Sequence, residues 1–256
     1  MGDFYPEEEK IDSMIDSTWL HWSGGKDSAY ALSKLAQDNQ LAGIVTSLSS
    51  EYRRISMHGV REELLEAQAE ALGLPLHKIF IPRDCNLADY DAVLGSEMMA
   101  LKAKGATHCA FGDIFLEDLR TYRQKQMDTC QLKTTFPIWK EADTATMARS
   151  IIDSGIKAIV VCVSGKHLNS SFVGRPYDHH FLNDLPDGVD PCGENGEFHS
   201  YVYDSPDFSL PIPVILSEIV NKVYTPSSKE EDDPECGAKP AWDTEFFFQD
   251  IQLSTR

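Results

Sequence analysis

Apolar and polar positions in this chain alternate in blocks of strand length and helix length. Trp19-Leu20-His21-Trp22 reads as a buried strand, and the segment 29–36 follows with Leu32, Leu35 and Ala36 on one helical face. Residues 41–47 read as a second strand. Val60, Leu64, Ala67 and Ala71 then recur at helical spacing, and Gly73 and Pro75 end that helix. A third strand is expected at 76–81. A helix over about 89–104 puts Leu94, Met98 and Leu101 on one side and closes at Gly105. A fourth strand at 107–111 leads to a helix carrying Leu119, Arg123, Met127 and Cys130. A short strand at 135–139 precedes a helix capped by Asp143, with Met147, Ile151 and Ile152 inward, and the apolar run 157–163 reads as a further strand. Repeated β-α units predict an α/β fold: a parallel twisted sheet with helices on both faces. Ligands of such sheets gather at the carboxyl ends of the strands.

From about residue 174 the pattern changes. Prolines stand at 176, 186, 191, 206, 211 and 213, helical repeats are few, and two strand-like runs cover 213–224 and 244–253. Between those runs lies a charged connector at about 226–240. The expected organisation is a flexible segment at 1–16, a nucleotide-type domain at 17–173, and a smaller irregular α+β part at 174–256 on the substrate side.

Composition narrows the function classes. The chain has 256 residues, 42% of them hydrophobic, which suffices for a sizeable core. A formal net charge of −18 argues against a broad nucleic-acid surface. The six cysteines form no C-x-x-C pair and no disulfide framework. The polar, acidic first 16 residues do not read as a signal peptide, and no apolar run reaches membrane-spanning length. A cytoplasmic protein without nucleic-acid or membrane partners is expected.

Three blocks carry candidate chemistry. Ser23-Gly24-Gly25-Lys26-Asp27-Ser28 sits between a strand and a helix start. Paired glycines let backbone approach an anion, and the helix N-terminus and the Lys26 charge favour one. Asp27 fits there if a Mg²⁺ bridges it to phosphate. The second block runs from Gly112-Asp113 at the fourth strand end to Glu117, Arg120 and Arg123, which share a helix face if the helix begins near Glu117. The third is Gly193-Glu194-Asn195-Gly196-Glu197-Phe198-His199, readable as a plain hairpin turn or as a polar site. Glu194 and Glu197 are candidate ligands for a cation or an amine, and His199 a candidate base. The segment Ser56-Met57-His58-Gly59 follows the second strand and flanks the same rim.

The first string resembles the S-G-G-x-D-S signature of the PP-loop ATP pyrophosphatase superfamily, whose fold is that of the adenine nucleotide alpha hydrolases. With the Ser56–Gly59, Gly112–Arg123 and Gly193–His199 blocks in the same order, about residues 17–208 resemble the diphthine–ammonia ligase family of that superfamily. Compact length and acidity resemble its bacterial branch. The resemblance implies ATP and Mg²⁺ as cofactors. It also implies an AMP-forming ligase in which a carboxylate, small or protein-borne, is adenylated and ammonia then displaces AMP. By the same resemblance, Ser23, Gly24, Gly25, Lys26, Asp27, Ser28, His58, Gly59, Gly112 and Asp113 hold the nucleotide, with Asp27 and Asp113 on the metal. Arg120, Arg123, Glu194, Asn195, Glu197 and His199 hold the substrates, and Lys26, Asp27, Glu117, Arg120, Glu194 and Glu197 serve catalysis. A homodimer is compatible with it. The alternatives are a nucleotide-binding regulatory protein without ligase chemistry and a tRNA-modifying PP-loop enzyme.

Overall fold

The computed structural model describes residues 17–36, 41–55, 58–83, 85–224 and 244–254. The expected flexible segment at 1–16 and acidic connector at 226–240 lie outside them. Five parallel strands form the first sheet: β1 (Thr18–His21), β2 (Leu41–Ser49), β3 (Leu76–Ile81), β4 (His108–Ala110) and β5 (Lys133–Thr135). Their order is β3-β2-β1-β4-β5, so the chain reverses its direction of travel across the sheet between β1 and β4. That reversal opens a crevice at the carboxyl ends of β1 and β4.

Between these strands run α1 (Lys26–Leu35), α2 (Glu62–Leu72), α3 (Leu87–Ala103), α4 (Glu117–Thr129) and, after β5, α5 (Thr144–Asp153). Local chemistry sets their ends. Asn86 and Asp143 accept the backbone N–H three residues on, at 2.9 Å each, and so cap α3 and α5. Gly73 closes α2 with φ 66°, a conformation that costs glycine little. The strand expected at 135–139 stops at Thr135, since Pro137 has no N–H to give a ladder, and 136–139 turn instead.

The second sheet departs from the sequence expectation. The run expected to extend the β-α series is β6 (Lys157–Ser164), and it pairs antiparallel with β7 (Phe198–Asp204) and β9 (Thr244–Leu253), with β8 (Val214–Tyr224) outermost. The strand is buried over seven of its eight residues. Burial on both faces demands an uninterrupted apolar run whatever the direction of the partner, so pattern alone is silent on sheet membership. The sheets therefore divide before β6 rather than at residue 174. A short helix, α6 (His179–Asp184), packs Phe181 inward.

One apolar cluster joins the two sheets: Leu20, Leu32 and Leu64 from the parallel half lie in it with Val160, Phe198 and Tyr201 from the antiparallel half. A second cluster, with Ile79, Leu94, Met98 and Met127, fills the opposite side of the parallel sheet under α3 and α4. The crevice above β1 and β4 is thus walled by β7 and the loop preceding it. Among the described residues no helix is long and apolar enough to cross a membrane.

Candidate active site

The glycine loop connects β1 to α1. Gly25 is the N-cap of α1 and offers no capping side chain; Ser200 Oγ takes the Lys26 amide, which leaves the next first-turn amides for a ligand. Gly24 has φ 76°, and a Cβ there would lie 2.9 Å from Gln68 Oε1. A Cβ on Gly25 would sit 3.1 Å from the Ser200 carbonyl oxygen and 3.2 Å from His58 Cε1, and one on Gly112 would sit 3.0 Å from the Asp27 carbonyl oxygen. Both glycines therefore serve close approach of backbones. Ser28 Oγ donates to the Gly25 carbonyl at 2.8 Å, and Ser23 Oγ lies 3.3 Å from Ser28 Oγ.

Gln68, fully buried on α2, holds this loop from behind. Its Nε2 donates to the carbonyls of Gly24 (3.0 Å) and Val202 (2.7 Å), and its Oε1 accepts from Trp22 Nε1 at 2.8 Å. Gln68 belongs to none of the sequence motifs. Its signal was a carboxamide beside Leu64, Leu65 and Ala69 on the inward helix face, where a polar group must be satisfied. The second sheet also reaches the loop directly: Val202 N–H donates to the Gly24 carbonyl at 2.8 Å and Lys26 N–H to Ser200 Oγ at 3.1 Å.

Lys26 is not the mobile charge that a surface loop would present. Its ammonium is buried, pairs with Asp27 at 2.9 Å, donates to the Cys192 carbonyl, and lies 5.3 Å from the Phe198 ring centre. Burial alone would lower its pKa, and the Asp27 carboxylate more than reverses this, so the ammonium stays charged.

A cavity of about 230 Å³ opens beside the loop, and Ser23, Gly25, Lys26, Asp27, Ser28, His58, Gly112, Asp113, Arg123, Glu194 and His199 all line it. His58 and His199 stack there with ring centres 4.5 Å apart, and His21 stacks on Phe111 at 4.3 Å. Burial holds all three imidazoles neutral, taking His21 to about 3 and His199 to about 4 and His58 well below its ordinary value. The His199 Nε2 atom is buried and has no hydrogen-bond partner. His58 Nδ1 lies 3.3 Å from the Ser200 carbonyl, which can only accept, so Nδ1 carries the proton and Nε2 is bare.

Opposite the imidazoles stand carboxylates. Asp113 Oδ2 pairs with Arg123 Nε at 2.7 Å, and the Arg123 guanidinium covers the Phe111 ring at 4.6 Å. Glu194 accepts the Ile114 N–H at 3.0 Å. Burial first, then the nearby Asp27 carboxylate, push Glu194 up to about 7, and Asp113 adds to this. Asp27 and Asp113, each paired with a cation (Lys26 and Arg123), are the two carboxylates on this wall whose chemistry suits a divalent cation shared with phosphate oxygens, as Mg²⁺ takes one or two carboxylates plus phosphate. Among the described residues no cluster of three or more His, Cys, Asp or Glu side chains could hold a metal unaided.

Other candidates fall elsewhere. Glu117 is exposed at the start of α4, pairs with Lys140, and is not part of the cavity lining. Its place in the first helical turn explains it: a carboxylate there favours the helix dipole without needing a ligand. Arg120 lies outside the cavity lining, stacked over Trp139 at 4.7 Å and Phe136 at 5.3 Å, with Nε buried and lacking a partner. Glu197 is 1% exposed and accepts from the N–H of Asp190 (3.1 Å), the N–H of Asn195 (3.0 Å) and Asn195 Nδ2 (3.1 Å). It and Asn195 therefore build the turn: three of the roughly four acceptor sites of this carboxylate are taken by N–H groups of the same loop. Gly59, with φ 68°, packs behind His58 against Phe248.

Two family models match: the diphthamide synthase N-terminal domain over residues 17–133 and the diphthamide synthase C-terminal domain over 143–225. The diphthine–ammonia ligase of Danio rerio is 26% identical over 221 residues, covering 77% of this chain and 86% of that protein. Those of Mus musculus and Homo sapiens are 28% and 25% identical, each covering 77% of this chain and 82% of theirs. Among solved structures, a predicted subunit of a tRNA methyltransferase from Methanocaldococcus jannaschii covers 74% of this chain and 98% of its own, with TM-score 0.40 and 15% identity. The first model spans the parallel sheet, the second takes in α5, β6, β7 and β8, and by these two matches the chain belongs to the diphthine–ammonia ligase family of ATP-dependent ligases.

Proposed function

We propose that this protein is an AMP-forming carboxylate–ammonia ligase working at the cavity between the glycine loop and the 190–198 loop. The observation that carries the reading is the meeting of the α1 N-terminus with Asp27, Asp113 and Glu194 at one cavity. Ser23, Gly24, Gly25 and Ser28 hold the β and γ phosphates of ATP through backbone amides and hydroxyls. Lys26, pinned by Cys192 and Asp27, supplies a fixed positive charge beneath them. Asp27 and Asp113 hold Mg²⁺, which supplies neutralisation of phosphate charge when bound.

Arg123, with Arg120 behind it, orients the acid so that a carboxylate oxygen attacks the α phosphorus in line. The bond from that phosphorus to the bridging oxygen breaks, and pyrophosphate leaves. Ammonia then attacks the acyl carbon, AMP departs, and the surplus proton passes to Glu194, whose carboxyl near 7 suits a base at neutral pH. Positioning and charge stabilisation carry the rate. The acid is small or protein-borne, with diphthine, named for the relatives, the first to test. The nitrogen comes from free ammonia or from an external donor. The experiment is ATP–pyrophosphate exchange with a diphthine-bearing protein and a panel of carboxylic acids. AMP and pyrophosphate formed only with acid and ammonia support the ligase, while ATP recovered intact overturns it in favour of a nucleotide-binding regulator.

A further inference from the structure

The last described strand carries no motif, yet it reaches the turn behind His58. Phe248 and Asp250 stand two residues apart on β9 and so point to the same side of the sheet. Asp250 Oδ1 accepts from Arg54 Nη1 at 2.9 Å and from Arg61 Nε at 3.2 Å, and its Oδ2 accepts from Arg61 Nη2 at 2.6 Å. Arg54 Nη1 also donates to the Gly59 carbonyl at 2.7 Å. The turn held in this way is narrow: Gly59 N–H donates to the Ile55 carbonyl at 3.0 Å, and Ile55 N–H to the Val60 carbonyl at 2.9 Å. A Cβ on Gly59 would meet the Phe248 ring at 2.9 Å, so ring and turn are in close contact. Next to Gly59 stands His58, stacked on His199 and lying over Gly25.

We infer that Asp250 is a positioning residue for the nucleotide: through Arg54 and the Gly59 carbonyl it holds His58 against the phosphate loop. The path is continuous, from Asp250 to Arg54, to Gly59, to His58, to Gly25. Two guanidiniums on one carboxylate fix a direction as well as a distance, because the Arg61 fork is planar and bidentate. Burial alone would raise the Asp250 carboxyl, and the two arginines take it to about 2, so the clamp stays ionised across the working pH range. The inference rests on the ATP reading of the loop.

The test is a double-mutant cycle on ATP binding, measured calorimetrically with MgCl₂ present. Asp250→Asn and His58→Ala are each expected to weaken ATP by about tenfold. The double variant is expected to bind no more weakly than His58→Ala alone, because Asp250 acts only through His58. Asp250→Glu is expected to recover most of the loss. Multiplying effects in the double variant, or unchanged ATP affinity in Asp250→Asn, overturn the inference. A nucleotide-free readout stands beside it: carbethoxylation of His58, followed by peptide mass spectrometry, is expected to run about fivefold faster in Asp250→Asn. An equal rate overturns the clamp even if the wild type binds no ATP, which by itself overturns only the ligase reading. If Asp250→Asn does not fold, Arg54→Lys keeps the charge, loses the bridge to Gly59, and is expected to shift both readouts in the same direction.

Discussion

Two loops face each other across the cavity, and they treat their polar groups in opposite ways. The 23–28 loop leaves part of a helix start open, and its glycines let Gln68, His58 and the Ser200 backbone close around it. The 190–198 loop satisfies its own polar groups: Glu197 accepts three N–H donors, and Asp190 accepts the Cys192 N–H at 2.8 Å. One loop is a receptacle and the other a wall. Glu194 is the exception in the wall, with one backbone donor and two carboxylates pressing on it. Two glutamates three residues apart thus do different work, and the difference lies in how many donors each has been given.

Substitutions separate these roles. The largest effect is expected at the receptacle: Asp27→Asn should lower ATP–pyrophosphate exchange about a thousandfold, since a fixed charge in the reacting centre is lost. Exchange within tenfold of wild type would remove Asp27 from the metal and phosphate assignment. Next comes the wall. Glu197→Ala leaves three N–H groups without their acceptor and should cost about 3 kcal/mol, read as a shift of the urea midpoint. A folded, unshifted Glu197→Ala would make Glu197 a ligand instead.

Glu194→Gln should leave folding intact but slow amide formation about a hundredfold. In the wild type that step should rise through pH 7, where Glu194 ionises, and the variant should lose this limb. The same group ties folding to pH. Its carboxyl is raised in the folded state, so its contribution is present at low pH and is lost as pH rises from 4.5 through 7. Urea titrations at pH 5 and pH 8 should show that slope in the wild type and a flatter one in Glu194→Gln. The smallest effect belongs to Glu117→Gln, an exposed partner of Lys140, which should change neither exchange nor melting. A large loss of exchange there would mean that α4 turns toward the cavity during the reaction.

Much of the parallel half was legible because its signals are local. Apolar spacing named the helices, Gly73 and Asp143 marked ends, and the glycine string marked the turn between β1 and α1. Glu194 and Glu197 could not be told apart, since both stand in one glycine-flanked string and only the folded turn gives one of them three donors. Arg120 and Arg123 share a helix face as the spacing predicts, yet only Arg123 lines the cavity, because the 136–139 turn carries Phe136 and Trp139 under Arg120.

The sequence by itself determined the alternating β-α order, the phosphate-type loop at the end of β1, and the family that the ordered motifs resemble. These rest on periodicity and on neighbours in the chain. Only the tertiary structure decided that β6 belongs to the antiparallel sheet, that Lys26 is pinned rather than mobile, that Gln68 holds the glycine loop, and that Asp250 meets Arg54. The physical reason is distance along the chain: the Lys26–Cys192 bond spans 166 residues and the Arg54–Asp250 bond 196. Burial, which sets the charge states of His199 and Glu194, exists only once those segments have met.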